Sequence, residues 1–256
     1  MARTRRFRVD SLAGATVGQT LALNPADAHH ARVLRLKAGD PVELFDSTGG
    51  RADGSIAEMT ASGVTVQLER VESKTESPRS SALTLAVAWP KGKRAAVMVE
   101  KCAELGVGRI IPVQYERSVV DKDDESEGVE RLRRIAVEAA KQSGRTDVPR
   151  IESARTLSAL LADPEGAAAV LLDPRAALGL GEWFGGLAPE KSAAGVLLIV
   201  GPEGGFSPAE IQRVNDAGVS RARLAEHILR VETAALAGCA IIGALQCEAR
   251  LRAQRQ

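Results

Sequence analysis

Three short segments carry residues whose types and spacing suit chemistry on a bound ligand. In the first, the apolar run Val196 to Val200 leads into Gly201, Pro202, Glu203, Gly204 and Gly205, and then into Phe206, Ser207, Pro208, Ala209 and Glu210. The run reads as a buried strand, and Ser207 with Glu210 three residues on reads as a capping box with proline at the first helical turn. Glycines between them leave room for a ligand against backbone amides, at the carboxyl end of a strand where α/β proteins bind ligands. Glu203 is then either a ligand-facing carboxylate or a surface carboxylate of a tight turn. The second segment, Leu224 to Ala234, reads as another strand end entering a helix, with Arg230 and Glu232 at the junction. Polar residues concentrated at such a junction mark a candidate functional cluster, or else plain helix-on-sheet packing. The third, Val137 to Arg145, is a helix end at which Gly144 takes the left-handed cap. Arg145 either projects from the loop as a functional cation or serves the helix dipole.

The elements that must position these residues follow from pattern. In the first seventy residues, short β segments at Thr20 to Leu23, Pro41 to Phe45, Gly54 to Ala57 and Val64 to Leu68 alternate with turn signals, which predicts a small barrel. One helical turn interrupts it, capped by Asn24 with Pro25 at the first position and Asp27 in the first turn. The polar stretch Glu72 to Ser81 marks a linker. Beyond it, strands at Leu83 to Trp89, Arg109 to Val113, Ala169 to Leu172 and Val196 to Val200 alternate with helices at Arg94 to Leu105, Val129 to Ser143, Pro208 to Asp216 and Thr233 to Ala249. That alternation predicts a parallel sheet with helices on both faces. The small residues Ala234, Ala235, Ala237, Gly238, Ala240, Gly243 and Ala244 suit a crowded chain crossing, a helix-packed dimer or plain helix-on-sheet contact.

Several function classes lose their support. The 256 residues carry 34 Lys plus Arg against 33 Asp plus Glu, so nucleic-acid binding must come from local patches and not from a global field. An aromatic share of 3% argues against reading bases by stacking on many rings. Cys102, Cys239 and Cys247 form no CxxC pair, which argues against a disulfide framework or a metal site and favours a reducing, cytoplasmic setting. No signal-length apolar run follows the arginine-rich start, and Thr233 to Leu245 is too short to span a bilayer, so no membrane partner is expected. Glu104, Gly106 and Gly108 imitate a nucleotide-binding loop, but they close a helix and precede a strand, the reverse of the required order. The acidic run Asp121 to Glu127 reads as a solvated loop.

Together with His30, Val33, Leu34, Arg35, Gly39 and Asp40, and with Lys101 to Val107, the three segments resemble the small-subunit ribosomal RNA (uracil-N3) methyltransferases of the RsmE type, in the SPOUT superfamily. The resemblance covers essentially the whole chain. It implies a PUA-like β-barrel RNA-binding domain over residues 1–75 and an α/β SPOUT domain with a parallel sheet and a trefoil knot over 76–256. It implies S-adenosylmethionine as cofactor, held among Leu172, Gly201, Glu203, Gly204, Leu224, Ile228, Leu229 and Thr233, and a homodimer in which Arg145 reaches the partner's site. The sequence departs from the family pattern at Lys141, Ala225 and His227.

The implied substrate is a specific uridine of 16S ribosomal RNA, naked or in the assembled small subunit. Its N3 is protonated at neutral pH, so the reaction needs a proton acceptor or a cation that stabilises the anion. Arg230 and Arg145 are the candidate cations, and Glu203 and Glu232 the candidate acceptors. Arg3, Arg5, Arg6 and Arg8 form a cationic arm, and Arg32, Arg35 and Lys37 a second patch, either set suited to phosphate contacts or only to solubility. A non-catalytic RNA or ribosome binder of the same fold, and a SPOUT methyltransferase of another RNA, are the competing readings. His29 and His30 are expected to be structural or near RNA, with no metal bound.

Overall fold

The computed structural model describes residues 5–46, 49–72, 83–117, 125–145, 147–163 and 167–255. Arg3, residues 73–82 of the expected linker and most of the acidic run lie outside them. The chain divides into two compact units, one of Met1–Ser80 with Ala140–Val148 and one of Ser81–Ala139 with Pro149–Gln256.

The first unit contains β1 (Arg5–Arg8), β2 (Thr20–Ala22), α1 (Pro25–Val33), β3 (Pro41–Phe45), β4 (Arg51–Met59) and β5 (Val64–Glu72). Its five-stranded sheet runs β1-β3-β4-β5-β2, with β1 parallel to β3 and the other pairs antiparallel. Alternation along the strands sends Phe7, Val42, Leu44, Ile56, Val66 and Leu68 into one core. Strand β1 is a correction to the expected cationic arm: Phe7 is fully buried, and Arg6 and Arg8 flank it in an edge strand.

Side chains of the α1 cap satisfy the free edge of β1. Asn24 accepts from the Asp27 amide as N-cap, and its amide nitrogen donates to the Arg8 carbonyl. Asp27, 2% exposed, accepts from the Arg8 amide and pairs with Lys141, near the end of α3. One buried carboxylate thus joins strand, helix cap and the returning segment 140–148. The left-handed Gly144 that ends this helix lies beside Arg6, as a Cβ added there would be 3.6 Å from Arg6 Nη1.

The second unit comprises β6 (Leu83–Ala88), α2 (Lys93–Glu104), β7 (Arg109–Gln114), α3 (Glu125–Ser143, whose last residues count with the first unit), β8 (Arg150–Ile151), β9 (Arg155–Thr156), α4 (Leu157–Ala162), β10 (Ala168–Leu172), α5 (Leu180–Gly185), α6 (Pro189–Ala194), β11 (Val196–Val200), α7 (Pro208–Asp216), β12 (Ser220–Ala222) and α8 (Val231–Ala253). Its sheet is parallel throughout, in the order β12-β10-β11-β6-β7-β8, with β9 also on β7. All five residues of β11 are buried, as a central strand covered on both faces requires. Gly106 closes α2 with φ +89° and leads to β7, so it is a helix terminator and not a nucleotide loop.

Strand β12 ends at Ala222, and the segment read as a strand end near Leu224 is a loop: after three residues on β10 the chain leaves the sheet edge. It passes the carboxyl ends of β10 and β11 and enters α8, which packs on β6, β11, α2 and α5. This return past strands already laid down is the course a trefoil knot requires. Helix α8 is long and apolar enough to cross a membrane by composition, yet Ala235, Cys239 and Ile242 are buried against the sheet side. Gly238 makes that contact close, since a Cβ there would lie 2.7 Å from Leu198 Cδ2.

Replacing Asp27 by alanine removes the buried carboxylate that accepts from the Arg8 amide and pairs with Lys141, so we expect a loss of about 3 kcal/mol in the unfolding free energy of the first unit, measured by urea titration. A loss below about 1 kcal/mol would mean that the carboxylate does not tie these elements together.

Candidate functional site

The carboxyl ends of β10 and β11 and the loop before α8 enclose a cavity of about 660 Å³, within the usual range for small-molecule sites. Its walls are Leu172 to Arg175, Val200 to Phe206, and the loop residues Leu224, Ala225, His227, Ile228 and Leu229, closed by Val231 and Ala234 of α8. Backbone and apolar side chains dominate, and the charged groups at the wall are Arg117, Asp173, Arg175, Glu203 and Arg221.

Close fitting shapes the 201–207 loop. A Cβ on Gly201 would sit 2.2 Å from Phe206 Cζ, so only glycine lets that ring lie over the strand end. The ring meets Tyr115 edge-on at 5.7 Å, and the Tyr115 hydroxyl donates to the Val200 carbonyl at 3.2 Å. Burial pushes the Tyr115 phenol well above its ordinary value, with the Glu210 charge adding to the shift, so it remains a donor at any working pH. Glu210, 1% exposed, completes the expected capping box with Ser207 and also accepts from the Glu116 amide at 2.9 Å. Arg117 then reaches across, its Nη1 donating to the Gly204 carbonyl at 2.9 Å.

On the opposite wall Asp173 is buried at the end of β10. It accepts from the Arg175 amide at 2.9 Å and pairs with Arg221 of β12 at 3.1 Å. Behind the 201–207 loop, Arg94 Nη1 lies 3.3 Å from Glu203 Oε1 and 3.7 Å from Glu232 Oε2.

Of the residues expected around a cofactor, Leu172, Gly201, Glu203, Gly204, Leu224, Ile228 and Leu229 line this cavity, while Thr233 is exposed on α8 outside the lining. Arg230 is the exposed N-cap of α8, next to the lining residue Val231, and Glu232 lies behind the wall. Arg145 is not brought into the cavity: its guanidinium forms a bidentate pair with Asp147, in the segment that belongs with the first unit.

The basic sets also differentiate. Arg6 is 9% exposed, paired with Glu43 and stacked 4.9 Å from the Phe45 ring centroid, so its charge is taken up inside the first unit. Arg5, Arg35 and Lys37 are exposed, Arg8 is half-buried, and Arg32 donates to the carbonyls of Thr60 and Ala61. Arg35 has φ 56°, the one positive value outside glycine among the described residues. No cluster able to hold a metal ion occurs among the described residues.

Arg94, Arg117, Asp173, Arg221 and Glu210 were not legible as site residues. Asp173 alone had a local signal, as the first polar residue after a buried strand end.

Comparison with known proteins decides the family. Residues 76–243 match the RNA methyltransferase domain model, and residues 23–69 match the RNA methyltransferase PUA domain. Ribosomal RNA small subunit methyltransferase E of Synechocystis sp. is 32% identical over 230 residues, covering 88% of this chain and 73% of that protein. The chain belongs to this family of RNA methyltransferases. The Bacillus subtilis member is 30% identical, covering 85% and 87% of the two chains. The crystal structure of the member from Neisseria gonorrhoeae, bound to S-adenosyl methionine, superposes with a TM-score of 0.82 at 27% identity over 95% of this chain and 98% of that one. Membership identifies an amino-terminal PUA-like domain followed by a parallel-sheet SPOUT-type methyltransferase domain, and the chain as a methyltransferase.

The Gly201→Ala variant should lose about 2 kcal/mol of stability, because the new methyl must displace the Phe206 ring. In a Phe206→Ala background the same substitution should cost little. Additive losses in a thermal-melt cycle would show that the ring is not what excludes the methyl.

Proposed function

We propose that the protein transfers the methyl group of S-adenosylmethionine to N3 of a specific uridine in 16S ribosomal RNA. The observation that carries this reading is the cavity itself, within a chain of the small-subunit methyltransferase E family. The residues present fit the cofactor: apolar walls suit its adenine ring and methylene portions, and the buried Asp173 carboxylate complements a cationic ligand. Leu172, Gly201, Gly204, Leu224, Ile228 and Leu229 would hold it, largely through backbone groups. When bound, it supplies a sulfonium-activated methyl.

The chain's own residues have the remaining task of making N3 nucleophilic. Glu203, a lining residue, accepts the N3 proton, while Arg230, exposed beside the α8 wall, stabilises negative charge on the uracil carbonyl oxygens. The N3 lone pair then forms the new bond to carbon, the bonding pair of the broken carbon–sulfur bond stays on sulfur, and Glu203 returns its proton to water.

The same reading divides the labour, with residues 1–75 gripping RNA and 76–256 performing transfer, on naked RNA or the assembled subunit. Arg5, Arg8, Arg32, Arg35 and Lys37 are the described candidates for phosphate contact. A homodimer fits the exposed apolar side chains Val97 on α2, Leu105 at its C-cap, and Ile241 and Leu251 on α8, and would let Arg145 serve a partner's site. The unpaired thiols Cys102, Cys239 and Cys247 support a cytoplasmic setting.

The deciding experiment incubates the protein with labelled S-adenosylmethionine and small subunits lacking the modification, then identifies the nucleoside. N3-methyluridine is expected, and a different methylated nucleoside overturns the base assignment. Arg230→Ala should lower turnover by about 100-fold or more with the fold intact, and normal turnover would remove its role. An Arg5/Arg35/Lys37 triple alanine variant should bind RNA with a shallower salt dependence, and an unchanged slope would return these residues to solubility alone.

A further inference from the structure

Arg94 belongs to none of the motifs, yet it occupies the junction of two of them. It stands in the first turn of α2, which follows β6, and β6 is the hydrogen-bonded neighbour of β11. Parallel pairing brings the carboxyl ends of the two strands side by side, so the start of α2 meets the loop at Gly201 to Gly205. Helix α8 packs along α2 and delivers Glu232 to the same place.

The two carboxylates differ in surroundings. Glu203 lines the cavity and is more than half exposed, whereas Glu232 is 14% exposed and its Oε2 is buried without a hydrogen bond. A buried carboxylate oxygen without a hydrogen bond is costly unless a cation offsets it. Arg94 supplies that cation at 3.7 Å and extends to Glu203 at 3.3 Å. Glu232 thus fixes the guanidinium from behind, and the guanidinium fixes Glu203 in front. A surface arginine on an exposed glutamate alone would lose most of its attraction to solvent and side-chain entropy. The buried anchor is what turns this contact into a held geometry.

We propose that Arg94 is a positioning residue for methyl transfer: it couples Glu232 to Glu203 so that the carboxylate of this cavity-lining residue is already held in place when the uridine N3–H arrives. The inference rests on the function proposed above and assigns Arg94 no contact with RNA or cofactor.

The test compares Arg94→Ala, Arg94→Lys and Glu232→Gln by three measurements: calorimetric affinity for S-adenosylmethionine, kcat and KM for methylation of unmodified small subunits, and amide hydrogen exchange across residues 203–205. For Arg94→Ala, kcat should fall about 100-fold, in the range of a misplaced proton acceptor, with cofactor affinity and the KM for RNA within about twofold of wild type. Arg94→Lys should recover about tenfold of that loss, because a cation returns without the planar fork. Glu232→Gln should add little to Arg94→Ala in the double variant, as members of one chain of contacts do not add. Exchange at 203–205 should quicken in both single variants that break the chain. An unchanged kcat in Arg94→Ala, or a parallel fall of kcat and cofactor affinity, overturns the proposal. If the wild-type protein binds the cofactor but methylates no small subunit, the functional reading fails, and unchanged exchange at 203–205 in Arg94→Ala overturns the role of Arg94 separately.

Discussion

The Glu210 carboxylate is the constraint on which the cavity depends. Buried almost completely, it receives the amides of Ser207 and Glu116, and so fastens the start of α7, the 201–207 loop and the end of β7 to one another. Each neighbouring contact presumes that fastening. Tyr115 reaches the Val200 carbonyl, and Arg117 reaches Gly204, because the residue between them is held by its backbone. Phe206 covers Gly201 because the loop on either side has nowhere else to go. A polar anchor suits this position better than an apolar one would: it fixes direction as well as proximity, and two backbone donors, that of buried Ser207 among them, are satisfied at once.

A similar economy governs the first unit, where Asp27 does for β1 and α1 what Glu210 does for the cavity. Strand β1 has only one strand neighbour, and a free sheet edge invites pairing with foreign chains. Asn24 and Asp27 cover part of that edge with side chains already committed to capping α1. Along β1, Phe7 is turned into the core, and Arg6 beside it is largely buried and paired with Glu43.

What was legible in the sequence was whatever repeats locally. Pro41 to Phe45 and Pro208 to Asp216 have the bounds their patterns predict, and the Ser207 to Glu210 box forms as its spacing requires. Gly201 and Gly204 were legible as lining residues because a strand end followed by glycines has a physical meaning in a single stretch of chain, whereas Leu224 and Ile228, in a loop, were named by the family resemblance alone. Strand β1 was misread because its partner is remote in sequence and parallel, so no turn announces the pair. Elements as short as β8, β9 and β12 offer too few residues for periodicity to show. Arg94 and Arg117 were invisible for a related reason: each meets its partner only after the sheet has placed β6, β7 and β11 in order.

Gly238 never touches the cavity, yet it sets how far α8 can approach β11, since any side chain there would strike Leu198. Val231 and Ala234, on the same helix, form one wall of the cavity. The breadth of the binding space is therefore fixed by a hydrogen atom on the far side of the wall. In a lineage drifting under selection for thermal tolerance, core-filling changes along α8 would alter ligand fit as a side effect, so stability and binding cannot be adjusted independently along this helix.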